Sequence, residues 1–198
     1  LWISDGTFAG TMLLKDIVPG SVGSWPSLLT AVGTIVYFTA RTDLGEELWR
    51  TNGTAAGTAL VLDIEPGPTG STPRSLTALN GKLYFTATTS TYGTELWVTQ
   101  GTARSTRLVR DLEPGPNASM IASLTVLGNK LYFVARTTAY GGEVWMSDGT
   151  KSGTVALKNI ATGALSSRPV SLRVVNDRLF FVASNRFRRT IQPKELKN

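Results

Sequence analysis

The side chains able to do chemistry are few in kind. Of 198 residues, none is His and none is Cys. That removes the commonest general base and metal ligand, together with disulfides, cysteine nucleophiles, zinc ribbons and iron–sulfur ligation. Carboxylates remain. Glu47, Glu95 and Glu143 each stand two residues before a tryptophan (Trp49, Trp97, Trp145) and so share its face of a strand. Paired carboxylates can hydrolyse glycosides, but an acid and a base need different surroundings, and repeated copies receive the same ones. The expectation is a repeated hydrogen bond or ion pair to a neighbouring strand, with Lys15, Arg110 or Lys158 as partners. Asp5 and Asp148 precede Gly-Thr, where Asn52 and Gln100 stand in the other copies. Calcium takes about six to eight oxygens, and each copy offers at most one carboxylate. Turn chemistry is the expectation: the side chain bonds its own backbone and Gly supplies positive φ. No catalytic residue, metal ligand or cofactor is assigned.

These residues recur in phase. Trp2, Trp49, Trp97 and Trp145 are 47, 48 and 48 apart. Asp16, Asp63, Asp111 and Asn159 keep the same intervals, as do Tyr37-Phe38, Tyr84-Phe85, Tyr132-Phe133 and Phe180-Phe181. The chain is four copies of a unit of about 48 residues. The Asp/Asn series ends each unit's last strand and is expected to cap the turn that follows.

Each unit reads as four short strands. Ser75–Leu79 leads through Asn80-Gly81, a strong hairpin signal, into Lys82–Ala87. A Gly-containing loop precedes Glu95–Thr99, and a turn at Gln100-Gly101-Thr102 precedes Thr106–Leu112. Glu113-Pro114-Gly115-Pro116 then breaks the chain. No useful 3.6-residue periodicity occurs, so the class is all-β. Four antiparallel strands per unit, repeated in tandem, spell a β-propeller of four blades per chain. A lone sheet with two apolar faces cannot bury both; stacked sheets can. Short loops make hairpins and the long Pro/Gly segments cross between blades, so Leu28–Val32, Ser75–Leu79, Ser123–Leu127 and Ser171–Val175 are the innermost strands.

The ends complement one another in this reading. Residues 1–17 hold the third and fourth strands of a blade, and 171–183 hold the first and second. Their pairing would close a four-bladed ring, or half of an eight-bladed ring shared by two chains through strand exchange, leaving no sheet edge open. The propeller is thus placed at 1–183, with 184–198 as a basic tail. The tail carries Arg186, Arg188, Arg189, Lys194 and Lys197 against Glu195, most of the net +6. Arg186, Phe187, Arg188 and Arg189 are too short a cluster, on no matching motif, to point to nucleic acid. No apolar run reaches the roughly 18 residues of a membrane span. The start at Leu1, inside the recurring motif, reads as a piece of a longer product.

Binding residues are sought where the copies differ. The loops between second and third strands and the inter-blade crossings emerge at one rim. They carry Arg41, Asp43, Tyr92, Arg136 and Tyr140, with Trp25 on a crossing. Exposed aromatics stack on sugar faces, and Arg and Tyr favour protein interfaces. The inner strands add Thr30, Thr77, Thr125 and Arg173 at one equivalent position, so Arg173 would bring a single charge to a central channel.

Glu47-Leu48-Trp49-Arg50-Thr51-Asn52-Gly53-Thr54 and Glu143-Val144-Trp145-Met146-Ser147-Asp148-Gly149-Thr150 resemble the bacterial ELWxxDGT tandem repeat, and Leu60–Gly67 fits the same pattern. The Asp-Gly-Thr turns also resemble the Asp-box turns of sialidase propellers. The resemblance implies a propeller within a secreted or cell-surface protein and assigns no catalytic residues. The function expected is non-catalytic recognition of a glycan or protein at repeated rim sites. A structural or self-assembly module, with a homodimer as one form, is the second reading, and a glycosidase-like enzyme the third.

Overall fold

The computed structural model describes residues 1–185. The sequence readings on Arg186 to Lys197 lie outside the described residues. The described chain is all-β apart from one 3-10 turn, Ala103–Ser105. Sixteen strands run in order: β1 (Trp2–Ile3), β2 (Met12–Leu13), β3 (Ser27–Val32), β4 (Ile35–Thr42), β5 (Gly45–Thr51), β6 (Ala59–Leu62), β7 (Arg74–Leu79), β8 (Lys82–Thr89), β9 (Gly93–Thr99), β10 (Arg107–Arg110), β11 (Ala122–Leu127), β12 (Lys130–Thr137), β13 (Gly141–Ser147), β14 (Val155–Ala156), β15 (Val170–Val175) and β16 (Arg178–Val182).

Strands β3 to β6, β7 to β10 and β11 to β14 form three four-stranded antiparallel sheets in chain order. The first strands run beside one another, β3 against β7, β7 against β11 and β11 against β15, a propeller-like arrangement. The fourth strands are shorter than the sequence suggests. Residues 106–112 read as one strand, but β10 covers only Arg107–Arg110 and has a register shift between Leu108 and Arg110. An outermost strand pairs on one side only, and the Asp111 turn follows at once.

The core lies between sheets. Tyr37 and Leu48 of one sheet pack with Leu83, Phe85 and Trp97 of the next. Tyr84, Leu96 and Val98 pack likewise with Leu131, Phe133 and Trp145. Phe38, Phe85 and Phe133 are fully buried and lie opposite Trp49, Trp97 and Trp145 across the ladder. Two glycines show how closely the sheets meet. A Cβ on Gly101 would sit 2.6 Å from Tyr37 Oη, and one on Gly149 would collide with Tyr84 Oη. These two turns therefore rest on a tyrosine of the sheet before, while the corresponding Gly53 faces Ile3 at ordinary contact distance.

The two end ribbons are not paired with each other among the described residues. β1–β2 and β15–β16 are separate two-stranded sheets, and no closed ring forms among the described residues. Strand pairing needs a spacing of about 4.8 Å, and neither β1 nor β16 has a ladder partner outside its own ribbon. The consequence is visible in the tryptophans. Trp97 and Trp145 are 9% and 3% exposed, whereas Trp2 is 67% exposed.

Candidate functional site

The rim is positioned by hydrogen bonds that repeat from sheet to sheet. Arg41 N donates to Ser24 O, Thr88 N to Ser71 O and Arg136 N to Ser119 O, at 2.7–2.8 Å. Each of these bonds ties the end of a second strand, where Arg41 and Arg136 stand rather than in the loop beyond, to the crossing that precedes its sheet. The following crossing approaches as closely from the other side. Gly45, Gly93 and Gly141 have positive φ, and a Cβ on them would strike the backbone at Gly70, Asn117 and Leu165. Loops and crossings thus share one end of the sheets, as the loop lengths suggest.

The glutamates of the third strands serve this rim from inside. Glu47, Glu95 and Glu143 are fully buried. Glu47 accepts from Ser71 N at 2.7 Å and Ser71 Oγ at 2.6 Å. Glu95 accepts from Ser119 Oγ at 2.8 Å and Glu113 N at 3.4 Å. Glu143 accepts from Ser167 Oγ at 2.6 Å and from Ala161 N and Ser167 N. The partner is therefore the crossing, not a lysine or arginine of a neighbouring strand. The crossing brings its serine over the strand end, closer than any outer-strand cation. Lys15 and Arg110 instead donate to the carbonyls of Thr58 and Thr154 at 2.7 and 2.6 Å. Burial pushes the Glu95 carboxyl up to about 7, against the pull of the Ser119 bond. Burial raises Glu47 in the same direction.

The Asp-Gly-Thr turns are local devices. Asp5, Asn52 and Asp148 each accept, through Oδ1, from N and Oγ1 of the threonine two residues on. Those bonds hold the Asp5 and Asp148 carboxyls below the ordinary range. Gly10, Gly57 and Gly153 leave room, because a Cβ there would meet the Asp or Asn side chain. In the third copy Gln100 replaces the acceptor, and Ser105 occupies the glycine position. Ser105 Oγ then takes the bonds from Gln100 N and Thr102 N. The two departures from the repeat compensate each other. The capping role of the Asp/Asn series is partial. Asp111 Oδ2 accepts from Gly115 N, while Oδ1 of Asp63, Asp111 and Asn159 is buried without a hydrogen-bond partner.

At the rim the structure gathers some of the expected residues and separates others. Trp25, Arg41 and Asp43 line one groove of about 200 Å³ with Val18, Val22, Gly23 and Thr42. A second groove, about 430 Å³, is lined by Glu113, Asn117, Ala118, Met120, Arg136, Thr137, Thr138 and Ala164. The first seven of these are the repeat counterparts, two copies further along, of the seven in the first groove. Glu113 is engaged there by Thr138 N and Oγ1 at 2.7 and 2.9 Å, clamping one sheet's crossing to the next sheet's loop. Glu65 makes the matching bond from Ser90 N one copy earlier. Glu113 and Met120 escaped sequence reasoning; aligning the copies on Trp25 and Val18 would have exposed both.

The remaining candidates lie apart. Tyr140 packs edge-on against Trp145, ring centroids 5.7 Å apart, so it covers its own sheet. Tyr92 is exposed on the loop between β8 and β9. Arg173 is on β15, and its Nη1 donates to the Leu172 carbonyl at 2.8 Å. Thr30, Thr77 and Thr125 donate to the carbonyl two residues back. Among the described residues no group of three or more His, Cys, Asp or Glu could hold a metal ion. No family model matches the chain, and no curated protein matches it.

Proposed function

We propose that this chain is a non-catalytic recognition module of the ELWxxDGT repeat type, from a secreted or cell-surface protein, that binds a glycan or protein at its rim. One observation carries the reading: two grooves built from the same seven repeat positions, each with an arginine whose guanidinium makes no hydrogen bond or salt bridge among the described residues. Residues kept solvent-facing at one rim, on loops held by repeated backbone bonds, are the ordinary setting of a binding surface. The carboxylates suited to acid–base work are engaged by serines inside the sheets, which favours binding over catalysis. A glycan array probed at high protein concentration, together with capture of surface proteins, tests this. Binding lost in Arg41→Ala/Arg136→Ala supports the reading, and silence or indifference to both changes overturns it.

The second reading, a self-assembling module, draws on the end ribbons. β15–β16 hold a blade's first and second strands and β1–β2 its third and fourth. In the complete sheets Phe38, Phe85 and Phe133 face Trp49, Trp97 and Trp145, so Phe181 would face Trp2 in a composite blade. Trp2 lines an open cavity with Leu13, Asp16, Trp25 and Leu29. A ring closed this way, within the chain or with a second copy, would cover Trp2. Light scattering gives the copy number, and Trp2 fluorescence quenched as freely as an exposed indole would argue against closure in either form.

A further inference from the structure

We infer that the groove at Trp25 is a saccharide subsite for one neutral pyranose ring, and that the groove at Met120 is not a second copy of it. The inference rests on the rim-recognition reading and narrows it to one site and one ligand class. Trp25 is 67% exposed. Its backbone is left-handed (φ 41°), as at its counterparts Thr72, Met120 and Arg168 (φ 45°, 49° and 49°). The crossing dictates that conformation whatever the residue, so the indole is a choice of this copy alone. An exposed indole offers a flat apolar platform with a polar edge.

The polar groups beside it keep hydrogen-bonding capacity, although, besides the Arg74 bonds, the Arg41 charge helps hold the Glu46 carboxyl down. Strand β4 ends on Arg41 and Thr42 and Asp43 follows directly, and among the described residues neither the Arg41 nor the Asp43 side chain makes a hydrogen bond or salt bridge. Glu46, which pairs with Arg41 across the ladder, is taken by Arg74 through two bonds of 2.7 and 2.9 Å. The groove thus offers a donor fork and a carboxylate acceptor next to an aromatic face. One hydroxyl accepts from the guanidinium and its neighbour donates to the carboxylate while the ring's C–H face rests on the indole. An anionic ligand would meet Asp43 and a cationic one Arg41, so a neutral polyol fits best. At about 200 Å³ the groove is below the roughly 300–1,000 Å³ of drug-sized sites, the scale of a single ring.

The second groove lacks this set. Met120 replaces the indole with a flexible thioether. Thr138 replaces Asp43, and its hydroxyl is given to Glu113, whose carboxylate is in turn satisfied. The one carboxylate lining the groove with Arg136, that of Glu113, is thus already engaged, and the amide of Asn117 stands there instead of a free carboxylate. In the copy between, Thr72, Thr88 and Ser90 replace the platform, the arginine and the carboxylate together.

Neutral methyl glycosides of common hexoses, with methyl glucuronide as the charged control, supply the test by equilibrium dialysis and saturation-transfer NMR. A neutral glycoside is expected to bind one per chain. Trp25→Ala and Asp43→Ala should each weaken it about tenfold or more, while Trp25→Phe keeps most affinity and Met120→Ala changes nothing. Grafting the first groove onto the second by Glu113→Val/Met120→Trp/Thr138→Asp should raise the stoichiometry to two. Equal losses from Met120→Ala and Trp25→Ala, or preference for the glucuronide with Asp43→Ala strengthening it, would overturn the inference. So would silence of every glycoside. If the rim arginines still govern capture of a larger ligand in that case, the wider reading survives; if they do not, both fall.

Discussion

Glu95 makes stability depend on pH in an unusual direction. Its carboxyl is pushed by burial to about 7 in the folded protein, from 4.5 when free. The folded state therefore holds a proton that the unfolded state releases. Its contribution is full below about pH 4.5 and is lost as pH rises through about 7. At 1.36 kcal/mol per pH unit, linkage over that gap removes about 2–3 kcal/mol between pH 5 and pH 8. Against a total of roughly 5–15 kcal/mol, that is a large share. Glu47 adds to the same slope. Glu46, held down chiefly by its Arg74 bonds, acts with the opposite sign but below this window. Urea unfolding at half-unit pH steps measures the effect. The wild-type midpoint should fall as pH rises, and Glu95→Gln, neutral and of the same shape, should flatten much of the slope. A Glu95→Gln slope equal to wild type, or a wild-type midpoint that rises with pH, would refute the assignment.

Other consequences are more local. Gly149→Ala should cost more than about 1 kcal/mol, from its φ of 87° and the collision with Tyr84 Oη; Tyr84→Phe in the same chain should recover part of it in thermal unfolding. Removing the crossing's serine leaves a buried carboxylate short of a donor, so Ser119→Ala and Ser167→Ala should each lose about 1–3 kcal/mol in denaturant titrations. Phe133→Ala should cost about 3–5 kcal/mol. Phe181→Ala should match it in a closed ring, and a much smaller loss would count against closure.

The repeat, the strands and their order were legible because they rest on local chemistry. Asn80-Gly81 makes a hairpin wherever it stands between apolar runs, and Glu113-Pro114-Gly115-Pro116 breaks any strand. The shared rim followed from loop length. The partner of each buried glutamate was not legible: a carboxylate accepts equally well from a lysine two strands away or a serine 24 residues on, and only the path of the crossing chooses between them. The same holds for the ligand groove. Trp25, Arg41, Asp43 and Tyr140 were marked by rim position and variation between copies, and Arg173 as the one charge of the inner strands, yet packing joined the first three and sent Tyr140 onto Trp145 and Arg173 onto a carbonyl.

By itself, then, the chain of residues determined what each 48-residue unit becomes, since turn geometry and alternation act over a few neighbours. Which units touch, how far the stack turns, and whether its ends meet were left to the tertiary structure. Those outcomes depend on contacts such as Tyr84 on Gly149, summed over faces that no single unit contains.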